Sequence, residues 1–133
     1  MSESLSFDVL EKAIAALEEG LREHEQHPQL LTVRDGVIQR FEVAMDLSRK
    51  MILRVLKEKF ALDDIAANNK TFIREGAKYG LIADAESWMR HLESRNKTSH
   101  TYDPPLAARV FAEIPAFIPD AQDLLKRLKN AIA

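Results

Sequence analysis

The sequence lacks cysteine and contains only four glycines among its 133 residues. The absence of cysteine excludes disulfide bonds, thiolate catalysis and zinc sites with cysteine ligands. Apolar runs long enough to cross a bilayer are also missing, and the stretch from Met1 to Phe7 lacks the basic and apolar regions of a signal peptide. We therefore expect a cytoplasmic protein that does not enter a membrane.

Length and charge narrow the classes of protein further. A chain of 133 residues with 46% hydrophobic residues is long enough to bury one core and too short for two, which predicts a single domain over residues 1–133. The formal net charge of −2 excludes strong overall attraction to nucleic acid. Any contact with RNA must therefore be made by a local basic patch on the surface.

Apolar residues recur at helical spacing, and no stretch alternates between apolar and polar residues as a half-buried strand does. We predict an all-α, up-and-down bundle of four to five helices. The first helix follows Ser6 and ends near residues 20–25. The second runs from Thr32 to about Phe60, where Thr32 and Asp35 resemble a capping box.

Polar residues 63–69 predict a loop before a short third helix, which Thr71 caps and Gly80 ends. Asp84 caps the fourth helix, which delivers Arg95 at its carboxyl end. Trp88 lies on the apolar face of this helix, so we favour core packing over stacking on a nucleic acid base.

The last helix begins at the pair Pro104 and Pro105, since proline suits a first helical turn. Two further prolines, Pro115 and Pro119, remove backbone donors from its interior. We therefore predict two helical segments separated by a kink or break.

The stretch from Arg95 to Tyr102 places a cation, an imidazole and a phenol close together at a predicted helix end. On a continuous helix Arg95 and His100 would lie about 140° apart, so either the helix ends between them or a second chain contributes. Asp103 precedes a proline and favours extended backbone. We predict that His100 and Tyr102 lie on an extended segment and face a cleft with Arg95 at its edge.

These residue types suit RNA cleavage without a metal. Arginine binds phosphate through two hydrogen bonds, and histidine can take a proton from a ribose hydroxyl or give one to a leaving oxygen. Tyr102 could orient the substrate or accept a modifying group. The alternative is structural: Arg95 complements the helix dipole, His100 bonds the last carbonyls and Tyr102 packs on the bundle.

Two further groups of polar residues carry weaker signals. His24 and His27 could bind a metal with neighbouring glutamates, but exposed polar residues at a helix end are the better interpretation, so we predict neither metal nor cofactor. A basic cluster on the second helix indicates a solvated face or, alternatively, a surface for RNA or a partner. Its members are Arg49, Lys50, Arg54, Lys57 and Lys59.

Arg95, His100 and Tyr102 also form the spacing R-x4-H-x-Y, which resembles the motif of the HEPN superfamily in its branch of nucleotidyltransferase substrate-binding-like proteins. Further stretches that resemble this branch occur in the same order, at residues 34–42, 73–75, 79–82 and 88–96. The chain departs from the branch at residues 46–51, where an aromatic-rich segment is expected, and at Ser94, where an acidic residue is common.

The resemblance implies a helical homodimer whose two motifs line one cleft, and a partner that is a minimal nucleotidyltransferase, in a toxin and antitoxin pair. It implies an endoribonuclease in which Arg95 stabilises the phosphate and His100 is the acid and base. Tyr102 would be adenylylated by the partner, and Asn96 would assist. The alternative is a non-catalytic substrate-binding subunit of a two-component nucleotidyltransferase.

Overall fold

The computed structural model describes residues 6–62 and 70–133. Within these residues it contains helices and no strand, which confirms the predicted all-α bundle. The five α-helices are α1 (Asp8–Gln26), α2 (Leu31–Phe60), α3 (Thr71–Lys78), α4 (Ala85–Lys97) and α5 (Pro104–Ile132), and a short 3-10 helix (Thr98–His100) follows α4. The predicted loop at 63–69 lies outside the described residues. No helix among the described residues is long and apolar enough to span a membrane.

The apolar faces predicted from helical spacing meet in one connected core. Trp88 is only 2% exposed and packs edge-on against Phe117, with ring centroids 5.6 Å apart. This confirms core packing and excludes stacking on a base. The buried apolar residues that recur at helical spacing also include Leu10, Ile14, Leu17, Val37, Phe41, Ala44, Met51, Val55, Val110, Ala121, Leu124 and Leu128.

The start of α2 differs from its prediction. The helix begins at Leu31 after an extended Leu30, and no side chain caps it, so the capping box at Thr32 is wrong. Arg34 instead donates to the Asp35 carboxylate at 3.2 and 3.3 Å. The Asp35 carboxylate therefore pairs with the neighbouring Arg34 side chain and not with a backbone N–H at the start of the helix.

The ends of α3 and α4 follow the sequence signals more closely. Gly80 has a φ of +81° just beyond α3, as expected of a glycine that ends a helix. Asp84 accepts a hydrogen bond from the Ser87 backbone N–H at 3.2 Å, which confirms it as the cap of α4. Thr71, by contrast, is the first helical residue of α3 rather than its cap.

The predicted division of α5 is wrong, since this helix continues through Pro115 and Pro119 to Ile132. Both prolines are exposed, so carbonyl groups that lose a helical donor on that side can be hydrated. On the opposite side Ile114 and Phe117 are fully buried. Packing against the core therefore keeps α5 continuous through both prolines.

Candidate functional site

The motif spans the end of α4 and the 3-10 helix that follows it. α4 ends at Lys97, between Arg95 and His100, as the sequence predicted. The predicted extended segment is wrong, because the backbone remains helical through His100. Two hydroxyl groups stabilise these helical turns: Thr98 Oγ1 lies 2.7 Å from the Arg95 carbonyl, and Thr101 Oγ1 donates to the Thr98 carbonyl at 2.9 Å. The backbone becomes extended only at Asp103 (φ −83°, ψ 111°).

Arg95 forms a two-pronged ion pair with Asp46 of α2. Its Nε donates to Asp46 Oδ1 at 2.9 Å and its Nη2 donates to Oδ2 at 3.0 Å. This parallel geometry fits the planar guanidinium to the planar carboxylate. The Arg95 side chain is 28% exposed, so the ion pair lies at the bundle surface and within reach of a ligand.

A second carboxylate of α2 also faces Arg95. Arg95 Nη1 lies 3.3 Å from Glu42 Oε2 and donates to Thr98 Oγ1 at 3.0 Å. The buried Thr98 hydroxyl lies 2.8 Å from Glu42 Oε2 and 2.7 Å from the Arg95 carbonyl oxygen. Because the hydroxyl has one proton, it donates a hydrogen bond to only one of these two acceptors at a time. Glu42, Thr98 and Arg95 therefore form one network that ties the end of α4 to α2.

The neighbouring carboxylates favour the charged form of Arg95. The hydrogen bonds with Asp46 raise the pKa of Arg95, and attraction to the charges of Asp46 and Glu42 adds to this, against the lowering effect of burial. Among the described residues, three of the five guanidinium N–H groups of Arg95 have hydrogen-bond acceptors. Arg95 therefore retains donors for a further ligand, although two carboxylates already offset its charge.

Asn96 joins Arg95 at the wall of a small cavity of about 150 Å³ between α2, α3 and α4. Arg49 of α2 lines the same cavity, and its guanidinium carbon lies 5.6 Å from the centroid of the Phe72 ring. Asn96 itself is exposed. The site thus contains an arginine that the R-x4-H-x-Y motif does not include.

His100 and Tyr102 form the second part of the motif. Their ring centroids are 6.1 Å apart in an edge-to-face arrangement, and Tyr102 is 82% exposed. Neither side chain hydrogen-bonds to another described residue, and no ion pair or hydrogen bond joins His100 to Arg95 within that set. One chain therefore brings Arg95 together with Asn96, and His100 together with Tyr102, without a side-chain hydrogen bond or an ion pair between these two pairs of residues.

Sequence reasoning missed the carboxylates that hold Arg95. Glu42 and Asp46 are four residues apart and so lie on one face of α2, which is the only local signal for them. Their partner lies 49 residues beyond Asp46. The contact depends on how α2 and α4 pack, and periodicity does not give that information.

Another polar cluster lies between α4 and α5. His91 is buried, its Nε2 lies 2.6 Å from Asp120 Oδ2, and Ser87 Oγ donates to the same oxygen at 2.5 Å. In a nucleophilic triad the serine and the carboxylate bond opposite nitrogens of the histidine ring, but here Ser87 Oγ and Asp120 Oδ2 both lie on His91 Nε2, at 3.4 and 2.6 Å. The cluster is therefore a structural connection between two helices.

The metal alternative at the end of α1 gains no support from the geometry. The His24 ring packs on Phe111 with ring centroids 4.3 Å apart. Across residues 6–62 and 70–133, no group of three or more histidines and carboxylates is placed to hold a metal ion. The glutamates beside His24 and His27 are at the surface, as expected for polar residues at a helix end.

Comparison with known proteins agrees with this architecture. The chain is 34% identical to the Haemophilus influenzae protein named probable ribonuclease HepT, over 98% of this chain and 96% of that protein. A solved H. influenzae structure, described as the fold of a substrate binding domain of a nucleotidyltransferase, superposes with a TM-score of 0.82 and 33% identity, covering 93% and 99% of the two chains. A crystal structure of a Thermus thermophilus protein gives a TM-score of 0.75 and 32% identity, covering 90% and 98%.

The model of one family matches residues 5–130, nearly the whole sequence. The matched stretch includes α1 to α4, the motif and almost all of α5. The chain therefore belongs to the family described as nucleotidyltransferase substrate binding protein like.

Proposed function

We propose that this protein is an endoribonuclease of the toxin type that cleaves RNA without a metal and is silenced by adenylylation of Tyr102. The observation that carries the proposal is the exposed His100 ring. It hydrogen-bonds to no other described residue, and it lies three residues beyond the end of α4, the helix that holds Arg95 in a fixed orientation. An imidazole in that position can exchange protons with a substrate. The similarity to a protein named probable ribonuclease supports the same activity.

The proposed reaction uses the ribose of the RNA as its nucleophile. His100 takes the proton of the 2′-hydroxyl, and that oxygen attacks the adjacent phosphorus. The bond from phosphorus to the 5′-oxygen breaks, and the 5′-oxygen receives a proton from an imidazolium. The products are a 2′,3′-cyclic phosphate and a 5′-hydroxyl. Arg95 stabilises the phosphate oxygens through its remaining N–H groups, and Asn96 contributes an amide at the same cavity.

A homodimer would supply both proton transfers at once. In one chain His100 and Arg95 share no hydrogen bond, and a single imidazole cannot act as base and acid in the same instant. If two copies place their motifs along one cleft, one His100 can accept the first proton while the other donates the second. We therefore include the homodimer in the proposal.

Tyr102 suits the role of a regulatory site because its ring is 82% exposed and its hydroxyl is open to another protein. The proposed partner is a minimal nucleotidyltransferase that transfers an adenylyl group from ATP to the Tyr102 oxygen and releases pyrophosphate. The new phosphodiester adds bulk and negative charge to a side chain whose ring centroid lies 6.1 Å from that of the His100 ring. This group would compete with RNA phosphate for the site.

Intact mass spectrometry tests the regulatory step. After incubation with the partner and ATP, the wild-type chain should gain one adenylyl group, and Tyr102→Phe should gain none. Tyr79→Phe is the matched control, since its phenol is partly buried against Phe60. An unchanged wild-type mass, or the same gain in Tyr102→Phe, would refute the modification.

A second function has one observation in its favour. Glu42 and Asp46 already offset the charge of Arg95, as expected of a structural rather than a catalytic arginine. In that case the chain would be a non-catalytic subunit that presents a substrate to a nucleotidyltransferase. The two functions differ in a direct assay: only the first predicts RNA cleavage by the purified chain in EDTA. The second predicts that the chain changes the partner's KM for its substrate.

A further inference from the structure

Two adjoining cavities flank Arg95 and share three wall residues: Asp46, Arg49 and Arg95. The first has a volume of about 150 Å³ and extends to Asn96, and the second has a volume of about 400 Å³ and extends along α2 to Lys50 and Leu53. We name the two cavities together the Arg49 groove. It connects the Arg95 part of the motif with the basic half of α2.

The cationic side chains of this groove differ in whether a carboxylate already neutralises their charge. Arg95 is bound by two carboxylates, as described above. Arg49 instead packs its guanidinium over the Phe72 ring, and it forms no ion pair with any residue in 6–62 or 70–133. Lys50 is exposed and is likewise without an ion pair in that set. The charge available to an anion in the groove therefore comes from Arg49 and Lys50.

The spacing along α2 places these residues on one side of the helix. Asp46, Arg49, Lys50 and Leu53 follow the separations 3, 4 and 7, which bring side chains to one helix face. Contact with the Phe72 ring holds Arg49 while its N–H edge remains free for hydrogen bonds. The partly buried Leu53 adds an apolar surface at the open end of the groove.

We propose that the Arg49 groove binds the RNA backbone beside the scissile phosphate, with Arg49 as the main phosphate ligand and Lys50 as a second cation. This inference rests on the proposed ribonuclease function, and it adds a substrate-binding residue outside the R-x4-H-x-Y motif. RNA is favoured over an acidic protein segment because the groove leads directly to Arg95 and Asn96, where the scissile phosphate would lie.

The test measures binding separately from cleavage. A short fluorescent single-stranded RNA is titrated with His100→Ala protein by anisotropy at several salt concentrations, with and without Arg49→Gln. Arg49→Gln should weaken binding at low salt by about three- to tenfold, and should reduce the slope of log K against log salt by about 0.7, the value for one phosphate contact on a single strand. Arg49→Lys, which keeps the charge, should retain the slope.

Arg90→Gln is the matched control. Arg90 is an exposed arginine five residues before Arg95 on α4, about 140° around the helix from it, and is without an ion pair within the described part of the chain. Its substitution removes the same charge outside the groove and should leave the affinity within about twofold. Circular dichroism and light scattering measure the fold and the oligomeric state of each variant.

Three results would overturn the inference: no binding of RNA by the His100→Ala protein, equal affinity with and without Arg49→Gln, or an equal loss in Arg90→Gln. A change of oligomeric state in Arg49→Gln without a change in RNA affinity would also overturn it, since the groove would then be a protein interface. If RNA binding depends on Arg49 but the wild-type chain does not cleave RNA, the binding inference stands and the ribonuclease proposal fails.

Discussion

The guanidinium of Arg95 and the carboxylate of Asp46 meet through two parallel hydrogen bonds of 2.9 and 3.0 Å, across 49 residues of sequence. This contact fixes the direction of the motif arginine before any ligand arrives. It also sets Asp46 in competition with an incoming phosphate, since both are anions that bind the same planar cation.

Removal of the Asp46 charge should strengthen RNA binding. Asp46→Asn keeps the side-chain shape and removes a negative charge from the wall of the Arg49 groove, which at water's dielectric is worth about 1 kcal/mol at 4 Å, or roughly fivefold in affinity. Because the Asp46 side chain is 58% exposed, the loss of stability should stay below about 1 kcal/mol. Anisotropy and urea denaturation measure the two effects. Weaker binding in Asp46→Asn would show that Asp46 supports the ligand site rather than competing with the ligand.

The charge of Arg95 should contribute equally to stability at all pH values between about pH 6 and pH 9, where its carboxylate partners are also charged. Its pKa is raised in the folded state, so the stabilisation is complete below the ordinary arginine range and is lost only as the pH rises through the higher folded pKa. The difference in unfolding free energy between wild type and Arg95→Gln should therefore be constant between about pH 6 and pH 9. A difference that falls with rising pH in that window would contradict the assigned sign.

Removal of the Thr98 hydroxyl should lower both the stability of the protein and its rate of RNA cleavage. Thr98→Val keeps the shape but removes the group that accepts from Arg95 and lies 2.8 Å from Glu42 Oε2. We expect a loss of about 1–2 kcal/mol in stability, because the variant removes one hydrogen-bond partner from each of the partly buried Arg95 and Glu42 side chains. We also expect a lower cleavage rate per folded molecule. Thr98→Ser, which restores the hydroxyl, should recover most of both, and equal defects in the two variants would argue against the network.

The bond between His91 and Asp120 should be structural only. Asp120→Ala leaves the buried His91 and the Ser87 hydroxyl without their common acceptor, and should cost about 1–3 kcal/mol of stability. Asp123→Ala, on the same helix, breaks an exposed pair with Arg127 and should cost about 0.5 kcal/mol or less. Thermal denaturation compares the variants. If Asp120→Ala abolished RNA cleavage in a fully folded protein, the cluster would need a functional role.

Helical periodicity was sufficient to predict most of the fold, because α1, α2 and α5 each bury a continuous apolar stripe. The expectation that Pro115 and Pro119 divide α5 failed, because burial of Ile114 and Phe117 outweighs the two missing proline donors. The expectation of an extended segment at the motif also failed, because the hydroxyls of Thr98 and Thr101 bond nearby carbonyls and keep the backbone in helical turns. Propensity describes single residues, whereas these outcomes depend on contacts that exist only after folding.

The residues of the candidate site were likewise predicted only in part from the sequence. Arg95, His100 and Tyr102 could be identified from their spacing in the sequence, and the structure gives their surroundings. Glu42, Asp46 and Arg49 are ordinary surface residues in the sequence, and Arg49 belonged only to a broad basic cluster. Their place beside Arg95 follows from the packing of α2 against α4, which a single sequence does not specify.

The most direct test of the account is cleavage of RNA by purified wild type and His100→Ala in the presence of EDTA. His27→Ala is the matched control, since His27 is an exposed histidine at the end of α1 with no proposed role. We predict that wild type and His27→Ala cleave RNA and leave a 2′,3′-cyclic phosphate, while His100→Ala is slower by about a hundredfold or more. Equal cleavage by wild type and His100→Ala, or no cleavage by any of the three proteins, would contradict the account.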